Sequence, residues 1–144
     1  MTGGEMKKKL PKLTPVEWEI MEAVWALGNS PSVRDVLDHA YPDREKAYTT
    51  VQTVMNTLEK KGLLTRQKKG LVNFYTPTGS RAEAVTAEMS RMVARVFRGS
   101  VPAVASHLIE SGDLSLKEIE AIRDLLDRRA RELRVREKGG RRRG

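Results

Sequence analysis

The chain has 144 residues, 39% of them hydrophobic and 32% charged, with no cysteine and a formal net charge of +8. That length suits one ordinary domain or a small domain with a helical appendage, and the missing cysteines exclude disulfides and thiolate metal sites. No apolar run reaches the roughly 20 residues of a membrane-spanning helix, and MTGGEMKKKLPK lacks the apolar core of a signal peptide, so a cytoplasmic protein without membrane insertion is expected.

The charge is unevenly placed. Residues 1–12 carry +3 and residues 128–144 carry +7, which leaves −2 for everything between them. Within that body, residues 13–45 hold two Arg against seven acids, whereas residues 46–80 hold six Lys or Arg against one acid. A basic patch on an otherwise acidic body is what a surface that meets phosphate on one side requires.

Residues 1–12 have charge and glycine but no apolar period, and are expected to form a disordered basic arm. Thr14 then reads as a helix N-cap, with Pro15 at the first helical position and Glu17 completing a capping box. Leu13 and Trp18 form a hydrophobic staple around it. The stripe Val16, Ile20, Val24 and Leu27, widened by Met21 and Trp25, faces a core, and Gly28 ends the helix. Ser32 and Asp35 cap a second helix whose short apolar face is Val33, Val36, Leu37 and Ala40, and Pro42 stops it. His39, one of only two histidines in a chain without cysteine, reads as a surface or packing residue.

A short turn over residues 42–46 leads into a third helix, AYTTVQTVMNTLEKKG. Val51, Val54, Met55 and Leu58 share one face, while Thr49, Gln52, Thr53, Asn56 and Lys60 share the other. A solvated face is usually written in Glu and Lys; Thr, Gln and Asn are donors and acceptors that can read base edges in a major groove. Ala47 is a weak N-cap, leaving the first N–H groups to the Tyr48 side chain or to a phosphate. After the Gly62 stop come two strand-like runs, Leu63–Gln67 and Leu71–Thr76, with Lys68, Lys69 and Gly70 as the turn. Arg66, Lys68 and Lys69 can neutralise phosphates without reading sequence. The predicted architecture is mainly α with a small β-hairpin wing: a winged helix-turn-helix over residues 13–78.

The second half is helical. Ser80 and Glu83 cap a helix to about Arg98 that repeats Val85, Met89, Met92 and Val96, with Val93 and Phe97 beside them. Ser100 starts another with Val101, Val104, Ala105, Leu108 and Ile109 inward, and Gly112 ends it. Ser115 and Glu118 cap a last helix carrying Ile119, Ile122, Leu125 and Leu126. Three short amphipathic helices bury little alone, so residues 80–128 are expected to dimerise, with Val85, Met89, Met92, Val96, Val104, Leu108, Ile119, Ile122 and Leu126 in the interface. Residues 129–144 form a basic tail in which the period fades; Leu133 and Val135 allow one or two further helical turns, and the rest of the tail, ending in GGRRRG, is expected to be disordered. No nucleophile, base and stabiliser converge, so no enzyme activity, metal or cofactor is expected.

The segments LTPVEWEIMEAVW, SVRDVLDHA, AYTTVQTVMNTLEKKGLL and NFYTP, continuing through VFRGSVPAVASHLIESGDLSLKEIEAIRDLLD, resemble the penicillinase-repressor family of bacterial winged-helix regulators, the BlaI and MecI type, over residues 13–128. The resemblance implies a homodimeric transcriptional repressor on an inverted-repeat double-stranded DNA operator with TACA/TGTA-like half-sites, associated with the nucleoid when bound. It also implies Thr49, Thr50, Gln52 and Thr53 facing bases, with Tyr48, Asn56, Lys60 and the wing lysines nearer the backbone. In the β-lactam-responsive branch a membrane sensor metalloprotease system inactivates the repressor by a cut in the dimerisation region, commonly at Asn-Phe; the matching bond here is His107–Leu108, a departure. The C-terminal cysteine cluster of copper-responsive members is absent. On the residues alone two other readings stay open: a winged helix used as a protein-interaction module, and non-specific architectural DNA binding driven by the basic tails.

Overall fold

Four capping boxes set where helices begin in the computed structural model, which describes residues 10–143. Helix α1 (Pro15–Leu27) starts where Thr14 Oγ1 accepts from Glu17 N at 3.2 Å and Thr14 N donates to Glu17 Oε1 at 2.8 Å. Ser32 and Asp35 do the same for α2 (Val33–Ala40), Ser80 and Glu83 for α4 (Arg81–Phe97), and Ser115 and Glu118 for α6 (Leu116–Arg143). Each box satisfies two otherwise orphaned backbone N–H groups. Helix α5 (Val101–Ser111) has the simpler cap of Ser100 accepting from Ala103 N. Helix α3 (Tyr48–Lys60) is the exception, since Ala47 offers no side-chain cap.

Between α3 and α4 lies one antiparallel hairpin, β1 (Leu64–Lys69) with β2 (Val72–Pro77), in the register Leu64 to Pro77 through Lys69 to Val72. Its turn is therefore Gly70–Leu71, and Lys68 and Lys69 belong to β1 rather than to the predicted turn. Gly70 has φ +66°, and a glycine at positive φ in the first central position gives a two-residue turn whose twist matches that of the strands. Leu71, predicted as a strand residue, sits in that turn and is 95% exposed. A bridge from Ser32 to Phe74 and the bond from Tyr75 N to Pro31 O (2.9 Å) tie β2 to the start of α2.

The chain divides into two compact units between Arg95 and Val96. In the first, Ile20, Met21 and Val24 of α1, Val33, Val36 and Leu37 of α2, Val51, Met55 and Leu58 of α3, Leu64 of β1 and Tyr75 of β2 close one core. Each such aliphatic side chain stabilises the unit by about 1.5–3 kcal/mol relative to exposure. Val16, Leu27, Trp18 and Trp25 are only partly buried around it, and Ala23 is covered instead. The tryptophans pack on each other at 6.0 Å.

Helix α4 begins in this unit, although residues 80–128 are predicted as one dimerising region. Trp25 Nε1 donates to Gly79 O at 3.0 Å, Arg81 grips Glu22 with bonds of 2.7 and 3.2 Å, and Ala84 is buried. These contacts join residues more than fifty positions apart, out of reach of periodicity. Arg91 donates to the carbonyls of Leu10 and Pro11, so residues 10–12, assigned to the expected arm, are held against the unit; residues 1–9 of that arm lie outside the described residues.

The second unit contains the end of α4, α5 and α6. Helix α6 does not stop near residue 128 but runs to Arg143, so within the described residues the expected disordered tail is helix. The physical reason is composition: Arg, Leu, Glu and Ala are strong helix formers, and Arg129 pairs with Glu132 one turn on at 3.2 Å. Among the described residues of this unit only Val104 is a buried hydrophobic, whereas Val96, Val101, Leu108, Ile109, Leu116, Leu125 and Leu126 are all 47% exposed or more. No helix among the described residues is long and apolar enough to cross a membrane.

Candidate nucleic-acid interface

The interface is built on α3, whose Val51, Met55 and Leu58 are locked into the core. That leaves Tyr48, Thr49, Thr50, Thr53 and Lys60 exposed, with Gln52 and Asn56 half-buried among them. Burial on one side thus orients the uncharged side outward, without any charged residue from Thr49 to Asn56. The uncapped N-terminus adds unpaired N–H groups and the positive end of the helix dipole, a place suited to phosphate oxygen. Arg34 of α2 lies 5.3 Å over the Tyr48 ring, which brings a cation to the same end; sequence spacing gave no signal for it.

Two anchors hold the helix in place. At its C-terminal end, Lys61 Nζ donates to both carboxylate oxygens of Glu17 at 2.8 Å and to Lys12 O at 3.3 Å. Glu17 is buried, at 5% exposure. Burial would raise its pKa, but the Lys61 bonds, the Thr14 hydrogen bonds and the Lys61 charge together hold the carboxyl below its ordinary value. The sequence assigns Glu17 only to a capping box; its second role joins α1 to the end of α3. Gly62, at φ +83°, then turns the chain so that Thr78 can bond Leu63 O and Gly62 O.

The second anchor is Asn56. Its Oδ1 accepts from the buried Tyr75 hydroxyl at 2.8 Å and from Arg66 Nη1 at 3.5 Å. Asn56 therefore turns its acceptor to the wing and keeps its side-chain NH2 as the remaining donor. Burial raises the Tyr75 pKa, opposed by Arg66, so the phenol stays a donor. Arg66, Lys68 and Lys69 are exposed along β1, with Lys69 Nζ 5.9 Å over the Phe74 ring. Helix face and basic strand are thereby coupled through one amide, Asn56.

Of the residues predicted to dimerise, Met89, Val96, Leu108 and Leu126 are exposed, and Val85, Met92, Ile119 and Ile122 are half-buried. Val104 is covered within a single chain, at 7% exposure, and so has little surface left for a partner. The His107–Leu108 bond lies inside α5, where Ser111 Oγ donates to His107 O and Gly112 N donates to Leu108 O.

Two helices joined by a turn, the second with an exposed hydrogen-bonding face and followed by a basic two-stranded wing, define the winged-helix class of DNA-binding protein. The chain belongs to the penicillinase repressor family, whose model matches residues 13–128, and is a DNA-binding transcriptional repressor. It is 26% identical over 120 residues to the penicillinase repressor of Bacillus licheniformis, covering 83% of this chain and 93% of that protein. It is 23% identical over 124 residues to the methicillin resistance regulatory protein MecI of Mammaliicoccus sciuri, covering 86% of this chain and all of that one. Among solved structures it is similar to the DNA-binding domain of the repressor BlaI, with 30% identity, 53% of this chain, 92% of that chain and a TM-score of 0.46. A second is the Bacillus licheniformis BlaI monomeric form in complex with the blaP half-operator, with 29% identity, 52% and 90% coverage and a TM-score of 0.44.

Proposed function

We propose that two copies of the chain pair through their second units and hold two winged units on an inverted-repeat operator. In this reading α3 lies in the major groove, with Thr49, Thr50, Gln52 and Thr53 toward base edges. Tyr48, Lys60, Arg66, Lys68 and Lys69, together with the Asn56 amide, lie toward the phosphate backbone. The observation that carries the reading is the exposed, uncharged face of α3 beside a basic wing, on a helix whose N-terminus is uncapped.

Pairing is supported by the apolar side chains that the second unit leaves exposed, Val96, Leu108 and Leu126 among them. One winged unit makes few contacts; joining two raises the effective concentration at the second half-site. Any event that separates the copies therefore releases the operator. A cut between His107 and Leu108 by a membrane sensor metalloprotease system would do so by parting α6 from the winged unit, once that turn of α5 unwinds to enter a protease. Mass spectrometry of the chain from cells exposed to the inducing signal is expected to show fragments ending and beginning at that bond.

The base-reading assignment is tested with Gln52→Ala. Genome-wide mapping of bound sites supplies the operator, and titrations on operator and random duplex then compare the variant with the parent. Gln52→Ala should cost about 1–3 kcal/mol on the operator and little on random DNA. Equal losses on both would remove Gln52 from the reading face.

A further inference from the structure

The family match ends at residue 128, but α6 continues to Arg143. What this extension presents can be read from its helical positions. At 100° per residue, Ile119, Ile122, Leu126, Ala130 and Leu133 fall on one narrow stripe along α6. Arg128, Arg129, Arg131, Arg134, Arg136 and Lys138 fill the rest of the circumference, and all six are exposed. Only Glu132 and Glu137 oppose them over the same stretch. If the stripe meets the partner's α6, the cations point outward from the pair, and the net +4 of residues 128–138 in each copy, six cations against two acids, becomes a doubled basic ridge.

We propose that the C-terminal half of α6 is a second, sequence-independent phosphate-binding element whose ligand is duplex DNA; this rests on the reading that the winged unit binds such a duplex. Charge complementarity selects a polyanion, because six exposed cations stand against only Glu132 and Glu137 along this stretch. Geometry favours nucleic acid over a bilayer. Beyond residue 128 the only large apolar side chains described are Leu133 and Val135, two residues apart and so on roughly opposite sides of the helix, which leaves no apolar face to enter lipid. Arg128, Arg131, Arg134 and Lys138 recur every three or four residues, a ridge of about 15 Å that passes about four phosphates of one strand. Such contacts fix no register. They raise affinity for any duplex and let the winged unit search along it, and each phosphate neutralised releases counterions.

The test compares the full-length parent with a variant carrying Arg128→Gln, Arg131→Gln, Arg134→Gln and Lys138→Gln, glutamine being a good helix former. Binding to a random-sequence duplex is measured between about 50 and 200 mM salt, where each lost phosphate contact flattens the slope of log K against log salt by about 0.9. The expected result is a slope flatter by about 3–4 per chain, with affinity at the low-salt end lower by at least about tenfold. The matching Arg→Lys variants, with Lys138 kept, should restore the slope. An unchanged slope overturns the proposal, as does loss of binding to phosphatidylserine vesicles by the glutamine variant while its DNA slope stays at the parent's value. A Lys68→Gln, Lys69→Gln variant separates the two readings. If the wing variant flattens the slope and the helix variant does not, the ridge alone is wrong; if neither does, duplex binding by the winged unit fails as well.

Discussion

Up to Arg95 the chain closes a core of fifteen buried residues; from Val96 onward it buries one hydrophobic among the described residues, Val104. Yet the helices of both units begin with equally good caps, Thr14 and Glu17 in one, Ser115 and Glu118 in the other. The difference teaches that local signals start helices without stabilising a tertiary unit. A helix with no covered face depends on propensity and i,i+4 pairs, worth tenths of a kcal/mol each, whereas a shared core contributes several kcal/mol per large residue.

The largest expected effect that sharpens this contrast is on Ile20, which is fully buried. Ile20→Ala should lower the unfolding free energy by about 2–5 kcal/mol in urea titrations. A loss as large from Leu126→Ala in a dilute, monomeric sample would abolish the distinction between the units. Next comes Lys61→Met, which strands the buried Glu17 carboxylate and should cost about 2–3 kcal/mol near neutral pH. Because the folded pKa of Glu17 is lowered, the stability it lends is complete above the ordinary carboxylate range and is lost as pH falls through that lowered value. The penalty of Lys61→Met should therefore shrink on acidification, and a penalty constant with pH would show that lost packing, not charge, is responsible.

A third measurement addresses the second unit directly. Leu126→Glu places a charge on an exposed apolar position and should weaken self-association by at least about tenfold, or 1.4 kcal/mol, while the thermal unfolding of the first unit stays put; sedimentation equilibrium and calorimetry read the two separately. The smallest effect compares caps. Thr14→Ala should cost about 1 kcal/mol of cooperative unfolding, whereas Ser115→Ala should reduce helical circular dichroism without moving the main transition. Equal shifts from the two would mean that both units unfold together.

Much of this was legible before any coordinate. Thr14, Ser32, Ser80, Ser100 and Ser115 start their helices as the sequence predicts, and Val51, Met55 and Leu58 turn inward so that Thr49, Thr50 and Thr53 of α3 are exposed, with Gln52 half-buried among them. The hairpin was legible in kind but not in register, because a shift of one or two residues leaves the composition of both strands nearly unchanged while moving Lys68 and Lys69 out of the turn and Leu71 into it. The double duty of Glu17, the Asn56 link to Tyr75 and Arg66, and the packing of α4 on α1 through Trp25 and Glu22 left no periodic trace. The end of α6 was legible only for the turn or two that Leu133 and Val135 allow, because beyond them no apolar residue continues the period, and helix propensity carries the backbone on.

By itself the sequence determined where most elements start and stop and which face of α3 is polar, because caps, positive-φ glycines and 3.6-residue periodicity involve groups within a few positions of one another. Only the tertiary structure decided that Glu17 secures the end of α3, that Asn56 gives its oxygen to the wing, that α4 belongs with the first unit and that Val104 is already covered. The first three of those outcomes depend on contacts between residues nineteen to more than fifty positions apart, whose formation is set by how the whole core closes rather than by any stretch of chain read alone.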